Sequence, residues 1–282
     1  MFPTPIERTS RSWQLTYQML LPVALIMWLL PLIAVAIFSI KPAADFTIGN
    51  YWGWPSTFEG FTNYGKVFFE SDMPRYLLNS VMITVPTVIG AVILSCMTGF
   101  ALGIYRFRAN LVIFFMFVAG NFVPFQILMV PVRDLTLQLG LYNTITGLVL
   151  FHIAFQTGFC TLFMRNFIRA LPFELIEAAR VEGVNELRIF WFVVLPLMKP
   201  AIAALAVLIF TFIWNDYFWA VVLTQGVETQ PVTAGITSFN AQYRAAYHLM
   251  SAGSIIAALP PVLMFFLMQR HFIAGLTLGA VK

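Results

Sequence analysis

Six long apolar stretches, at approximately 19–40, 77–105, 111–132, 145–164, 200–223 and 249–269, alternate along the chain with short polar or charged segments. A bilayer core about 30 Å thick takes roughly 20 apolar residues in a helix, because every backbone N–H and C=O must be satisfied within the span. The pattern therefore predicts six transmembrane helices. Pro22, Pro31, Pro86, Pro124, Pro260 and Pro261 fall inside them, so kinked spans are expected, with neighbouring helices satisfying the freed carbonyls. Between the fourth and fifth stretches, Pro172 and the acidic Glu174 and Glu177 open a short helix, and Gly183 permits a sharp turn. Leu187, Phe190, Trp191 and Val194 then recur at helical spacing. A helix, turn, helix along the membrane surface is expected there.

Composition agrees with lipid as the solvent. The chain has 282 residues, 60% hydrophobic and 10% charged, against about 45–50% and about 25% in soluble domains. Its net charge of +4 is too thinly spread for a phosphate-binding stripe, which excludes nucleic acid as a partner. Cys96 and Cys160 lie in apolar runs and read as buried thiols, with no disulfide framework and no metal site. With the N-terminus inside, 11 lysines and arginines fall on cytoplasmic segments and 5 on external ones, which places both termini in the cytoplasm. The first apolar run, about 21 residues, exceeds the roughly 7–15 of a signal core, which argues against cleavage. The external segment 41–76, with Trp52, Trp54, Phe58 and Phe61, suits a strip on the membrane interface. The segment 224–247 is polar, lacks an apolar face, and reads as a flexible connection.

The densest charge, five basic and four acidic side chains, lies in 165–199. Within it stand Glu177-Ala178-Ala179, then Gly183 after three residues, Val193 after nine more, and Leu195-Pro196. This spacing resembles the E-A-A-x3-G-x9-I-x-L-P loop of permease subunits of binding-protein-dependent ABC importers. Leu78-Asn79-Ser80, Tyr105-Arg106-Phe107-Arg108, Trp214-Asn215-Asp216-Tyr217 and the end of the chain are similar to the carbohydrate-uptake branch, the maltose and glycerol-phosphate type. The resemblance covers about 15–282. Glu182 and Val184 stand where the family usually has Asp and Ala.

The resemblance implies an all-α membrane protein with the type I ABC importer permease fold. A cytoplasmic segment 1–18, a permease domain 19–269 carrying the coupling loop, and a cytoplasmic tail 270–282 would make up the chain. It implies a second homologous permease, a homodimeric cytoplasmic ATPase, and a periplasmic or extracellular solute-binding protein as partners in the bacterial inner membrane. Glu177, Ala178, Ala179, Arg180, Gly183, Leu195 and Pro196 would couple to the ATPase. No G-x-x-x-x-G-K-[ST] loop occurs in the chain, so ATP and Mg belong to that partner and the chain itself needs no cofactor.

Polar groups within the spans are costly in lipid and should face protein or a water-filled path. Asn79, Asn121, Gln126, His152, Gln156, Asn215 and Asp216 are the candidates for a substrate pathway. Interhelical hydrogen bonding accounts for the Asn and Gln residues equally well. The rival readings are an ion-coupled secondary transporter, which asks for paired intramembrane carboxylates, and a membrane-embedded enzyme. Neither requires the charged loop. A neutral mono- or oligosaccharide is the first expectation for the cargo, because the spans lack a basic cluster for phosphate; a polyol, a glycerol phosphate or a sulfonated sugar stays open, since its charge could be neutralised on the second permease subunit.

Overall fold

The computed structural model describes residues 10–243 and 246–278, with the side chains of 238–243 and 270–278 left aside. Every regular element among them is helical. Four helices are long and apolar enough to span a bilayer: α1 (Arg11–Ser39), α4 (Met73–Ile104), α7 (Ile145–Arg169) and α14 (Tyr247–Leu278), the last over Tyr247–Gln269. Short helices α2 (Ala43–Thr47) and α3 (Gly60–Phe69) lie between the first two.

The remaining expected spans are broken. The third is α5 (Asn110–Gly120), a 3-10 turn (Phe125–Leu128) and α6 (Met129–Gln138), bent by 89°. The fifth is α11 (Lys199–Trp214) and α12 (Phe218–Leu223), interrupted at 215–217. Before α11 lie α8 (Phe173–Val181), α9 (Glu186–Ile189), a π-helical turn (Phe190–Val194) and α10 (Leu195–Leu197); the Glu186–Leu197 stretch meets α11 at 76°. Among the described residues there are thus four helices long and apolar enough to span a bilayer, or up to six if Asn110–Gly120 with Phe125–Gln138 and Glu186–Leu197 with Lys199–Trp214 each form one bent span. Two further expectations change. The segment 224–247, read as a flexible connection, contains α13 (Val232–Tyr243), and helix continues past 269 to Leu278. Residues 279–282 of the expected tail lie outside the described residues.

The chain divides into two compact units. One comprises residues up to 71 with 239–256. In it the fully buried Lys41 donates from Nζ to Asn50 O (2.6 Å) and Tyr51 O (3.0 Å), and Asn63 donates to Ser39 O and Lys41 O. Lys41, counted above among the external charges, is therefore sequestered on carbonyls. Trp52, Trp54, Phe58 and Phe61 are exposed.

The other unit comprises 72–238 and the chain from 257. Its core forms where α4 and α7 pack closely, because small residues let the backbones approach. A Cβ added at Gly99 would lie 3.0 Å from both Arg165 N and Met164 Cβ, and one at Gly103 would lie 3.2 Å from Ile168. Thr98 and Thr161 join their hydroxyls across the same seam at 2.6 Å. Cys96 and Cys160 are free and buried. Asn79 donates to Val227 O (2.8 Å) and Gln230 O (2.9 Å), and Ser80 Oγ accepts from Val232 N. The Leu78-Asn79-Ser80 motif thus pins the 224–232 segment to α4.

Gly99→Val forces a branched side chain against rigid backbone and should destabilise the unit by about 1–3 kcal/mol. Thermal melting in detergent reads this directly. Gly120→Ala, where the added carbon meets open space, should melt with the wild type. Equal melting of both variants would contradict the α4–α7 seam.

Candidate functional site

The two helix breaks converge on one cavity of about 660 Å³. The cavity falls within the size range of small-molecule sites. Of the seven residues expected on a pathway, five line it: Asn121, His152, Gln156, Asn215 and Asp216. Gln126 is exposed on the 3-10 turn and is not among the lining residues, and Asn79 is buried against the 224–232 segment as described. Phe125, Phe155, Phe159 and Phe212 supply aromatic walls that sequence reasoning did not single out, beside Tyr217 of the Trp214-Asn215-Asp216-Tyr217 motif. The signal was present in α7, where Phe151, Phe155 and Phe159 recur every fourth residue beside His152 and Gln156.

Each break is closed chemically by its own asparagine. Asn121, at the end of α5, donates to Phe117 O at 2.8 Å; Asn215, at the end of α11, donates to Thr211 O at 2.8 Å. The first bond satisfies a carbonyl that the interrupted helix leaves free; the second reinforces one that also accepts from Asn215 N at 3.2 Å. Asp216 then accepts from the backbone N–H of Trp219 (3.4 Å) and Ala220 (3.0 Å), holding the start of α12, while its own carbonyl accepts from Thr233 Oγ1 (2.6 Å). The Asp216 carboxylate also lies 3.5 Å from Nε2 of the buried His152. Read along the chain, His152 appears alone and Asp216 unpaired; the fold brings the two together. His152 Nδ1 has no partner among the described residues. Trp214 is turned away, donating from its indole to Ala257 O.

The charged loop forms a second constellation. Gly183 adopts φ +78°, a left-handed conformation that a side chain would strain, and so reverses the chain between α8 and α9. Asn185 caps α9 by accepting from Arg188 N at 2.9 Å. Glu177, Ala178 and Pro196 are exposed; Ala179 and Leu195 are half-buried. Ile176, Ile189, Phe190 and Val194 point into the core, while Val181 (89% exposed) and Leu187 (68%) face outward. Pro196 offers no N–H to the turn before it, and there the helix widens to its π form.

Arg180, grouped by the sequence with the coupling residues, makes an internal contact: its guanidinium meets Glu186 in a two-pronged pair, Nε to Oε1 at 2.7 Å and Nη2 to Oε2 at 3.1 Å. Tyr105, just beyond α4, donates to Glu186 Oε2 at 2.6 Å. The three side chains tie α8 and α9 to the end of α4. Hydrogen bonding from Arg180 holds the Glu186 carboxyl below its ordinary value. Burial and then Glu186 push the Tyr105 phenol up to about 12, so it remains a donor at neutral pH.

Broken spans around an aromatic cavity with a few polar groups, and a braced helical loop at one end, suit a solute-transport subunit of the membrane. Comparison with known proteins agrees. The sequence profile of the binding-protein-dependent transport system inner membrane component matches residues 91–277. The chain is 33% identical over 283 residues to the osmoprotective compounds uptake permease protein GgtD of Synechocystis sp., covering 98% of this chain and 95% of that one. It is 34% identical to the arabinooligosaccharides transport system permease protein AraQ of Halalkalibacterium halodurans over 81% of each. A chain of a bacterial ABC transporter involved in the import of the acidic polysaccharide alginate superposes with a TM-score of 0.82 at 25% identity, covering 95% of this chain and 100% of that one. The chain therefore belongs to the family of binding-protein-dependent transport system inner membrane components, the permease subunits of ABC importers. It is a multi-pass inner-membrane transport subunit rather than an enzyme, and nucleotide binding belongs to a partner ATPase. Membership supports the importer reading and not the ion-coupled one.

The lowered value of Glu186 means that its pairing contributes stability above the ordinary carboxyl value of 4.5 and loses it as pH falls through the lower folded value. A melting series against pH should place the wild type above Glu186→Gln at neutral pH and bring the two together in acid. The pair is partly exposed, so the separation should be small. A constant separation down to the most acid point would contradict the assigned role of Glu186.

Proposed function

We propose that this chain is one of two homologous permease subunits of an importer that carries a sugar into the cytoplasm, with both termini on the cytoplasmic side. The observation that carries the reading is the cavity at the two helix breaks. Aromatic faces suit the C–H faces of a sugar ring, and amides and a carboxylate suit its hydroxyls. No Lys or Arg is among its lining residues, which favours a neutral mono- or oligosaccharide over a phosphate ester. Relatives support the class: AraQ is named for arabinooligosaccharides, and others for lactose and for melibiose, raffinose and stachyose.

In this reading 19–269 is a single permease domain, and Asn121, His152, Gln156, Asn215 and Asp216 border the cargo path. A soluble binding protein delivers cargo from outside, and two identical ATPase subunits drive the cycle from inside. Glu177, Ala178, Ala179 and Gly183 form the face that docks on an ATPase, with Leu195 and Pro196 setting the exit angle of the loop. Glu177 pairs with a basic residue of that partner; exposed Val181 and Leu187 provide apolar contact. When the ATPase subunits close on ATP, the displacement enters α8. The Arg180–Glu186–Tyr105 tie and the buried Ile176 and Ile189 transmit it to α4 and α7 without slack, and the cavity changes the side to which it opens.

Glu177→Lys should abolish uptake of labelled sugar while the chain stays in the membrane at wild-type level, because the substitution places like charges face to face. Gly183→Asp should do the same by straining the left-handed turn. Normal uptake by both variants would remove the coupling role from this loop.

A further inference from the structure

A second cavity, of about 560 Å³, lies where the end of α4 and the turn after it meet α5 and the end of α7. It sits at the end of these helices that carries the α8–α9 loop, since Tyr105 belongs to both. Arg106, Arg108, Arg165 and Arg169 all line it, a quarter of the lysines and arginines in the chain. None of the four has a carboxylate partner among the described residues. Read as sequence, these arginines lie in two separate segments, 105–108 and 165–199; folded, they face one space.

Arg165 is built into the wall. It is 8% exposed, its Nε donates to Leu102 O at 3.0 Å, and its guanidinium lies 3.9 Å from the centre of the Phe114 ring. The carbonyl and the ring fix its plane, but neither neutralises its charge. A buried cation without an anion is unfavourable, and three further arginines at the rim add to the field. A phosphate matches this arrangement, because the guanidinium fork meets two phosphate oxygens at once. The apolar surroundings indicate the source of that phosphate. Exposed Phe107 lies at the cavity, and α5 leaves it with Leu111, Val112, Phe115 and Met116 all exposed, an apolar track along which acyl chains can lie.

We propose that this cavity holds the phosphate of an anionic phospholipid, with Arg165 as the inner contact and Arg106, Arg108 and Arg169 around the rim. The bound headgroup braces the α4–α5 turn against α7 beside the loop. The assignment stands on the arginines and the apolar track of α5 and does not depend on what the protein carries.

The test uses the full-length chain purified in detergent with its bound subunits, and native mass spectrometry after addition of phosphatidylglycerol or phosphatidylcholine with the same acyl chains. Phosphatidylglycerol should be retained in preference, and each of Arg106→Gln, Arg108→Gln and Arg169→Gln should lower that retention about fivefold, with lysine at the same positions keeping most of it. These three side chains are exposed, so the fold is not at stake, and the buried Arg165 is left intact. Equal retention of both lipids, or retention indifferent to the three variants, would overturn the proposal. Displacement by inorganic phosphate at the same concentration as lipid would make the cavity a soluble-anion site and overturn it too. So would variants that shed a protein subunit while keeping the lipid, since the arginines would then be a subunit contact.

Discussion

Inside a bilayer no water is available to satisfy a free carbonyl or N–H, so a helix can stop only where the protein itself completes the bonding. This constraint organises the chain. The helices α1, α4, α7 and α14 run uninterrupted, although prolines lie inside α1, α4 and α14, and α1 exposes apolar side chains such as Met19 and Trp28 as lipid demands. The two interruptions occur where an asparagine ends the helix and returns its amide to the carbonyl four residues back, Asn121 to Phe117 and Asn215 to Thr211. Asp216 then starts the next helix. Both interruptions border the same cavity. The polar atoms that permit the breaks are thus the atoms that give the cavity its polarity, and one set of side chains serves both needs.

At the loop end a different requirement applies. Under the proposed coupling role the loop must not rotate about its own joints. Gly183 sets the angle between α8 and α9, and the Arg180–Glu186–Tyr105 cluster fixes it to the end of α4. Ile176 and Ile189, both buried, anchor the underside. Glu177 and Ala178 remain outside this bracing and exposed. The loop therefore divides into residues that hold it and residues that are free to meet another surface.

Much of this was legible along the chain, for physical reasons that differ residue by residue. The continuous spans, and the helix–turn–helix around Gly183, follow from apolar run length and from capping chemistry. The breaks did not, because a hydropathy window averages across Asn121–Pro124 and Asn215–Tyr217, whose neighbours are strongly apolar. Arg180 read as a coupling residue, since its partner Glu186 lies across the turn and Tyr105 about 75 positions away. For the same reason His152 looked solitary: nothing local in the chain announces that Asp216 folds to within 3.5 Å of it. Arg106 and Arg108 registered as topology signals, and only the packing of α4 on α7 joins them to Arg165 and Arg169. Asn79 looked like a pathway residue, yet its amide serves to anchor the 224–232 segment.

The account treats the chain as half of an ATP-driven pathway, and the most direct measurement is to tag it, extract it gently, and assay what accompanies it. A second permease and an ATPase should co-purify, and a soluble binding protein loaded with one sugar should raise the ATP turnover of the reconstituted complex. A chain that purifies alone and moves solute in vesicles without ATP would contradict the account.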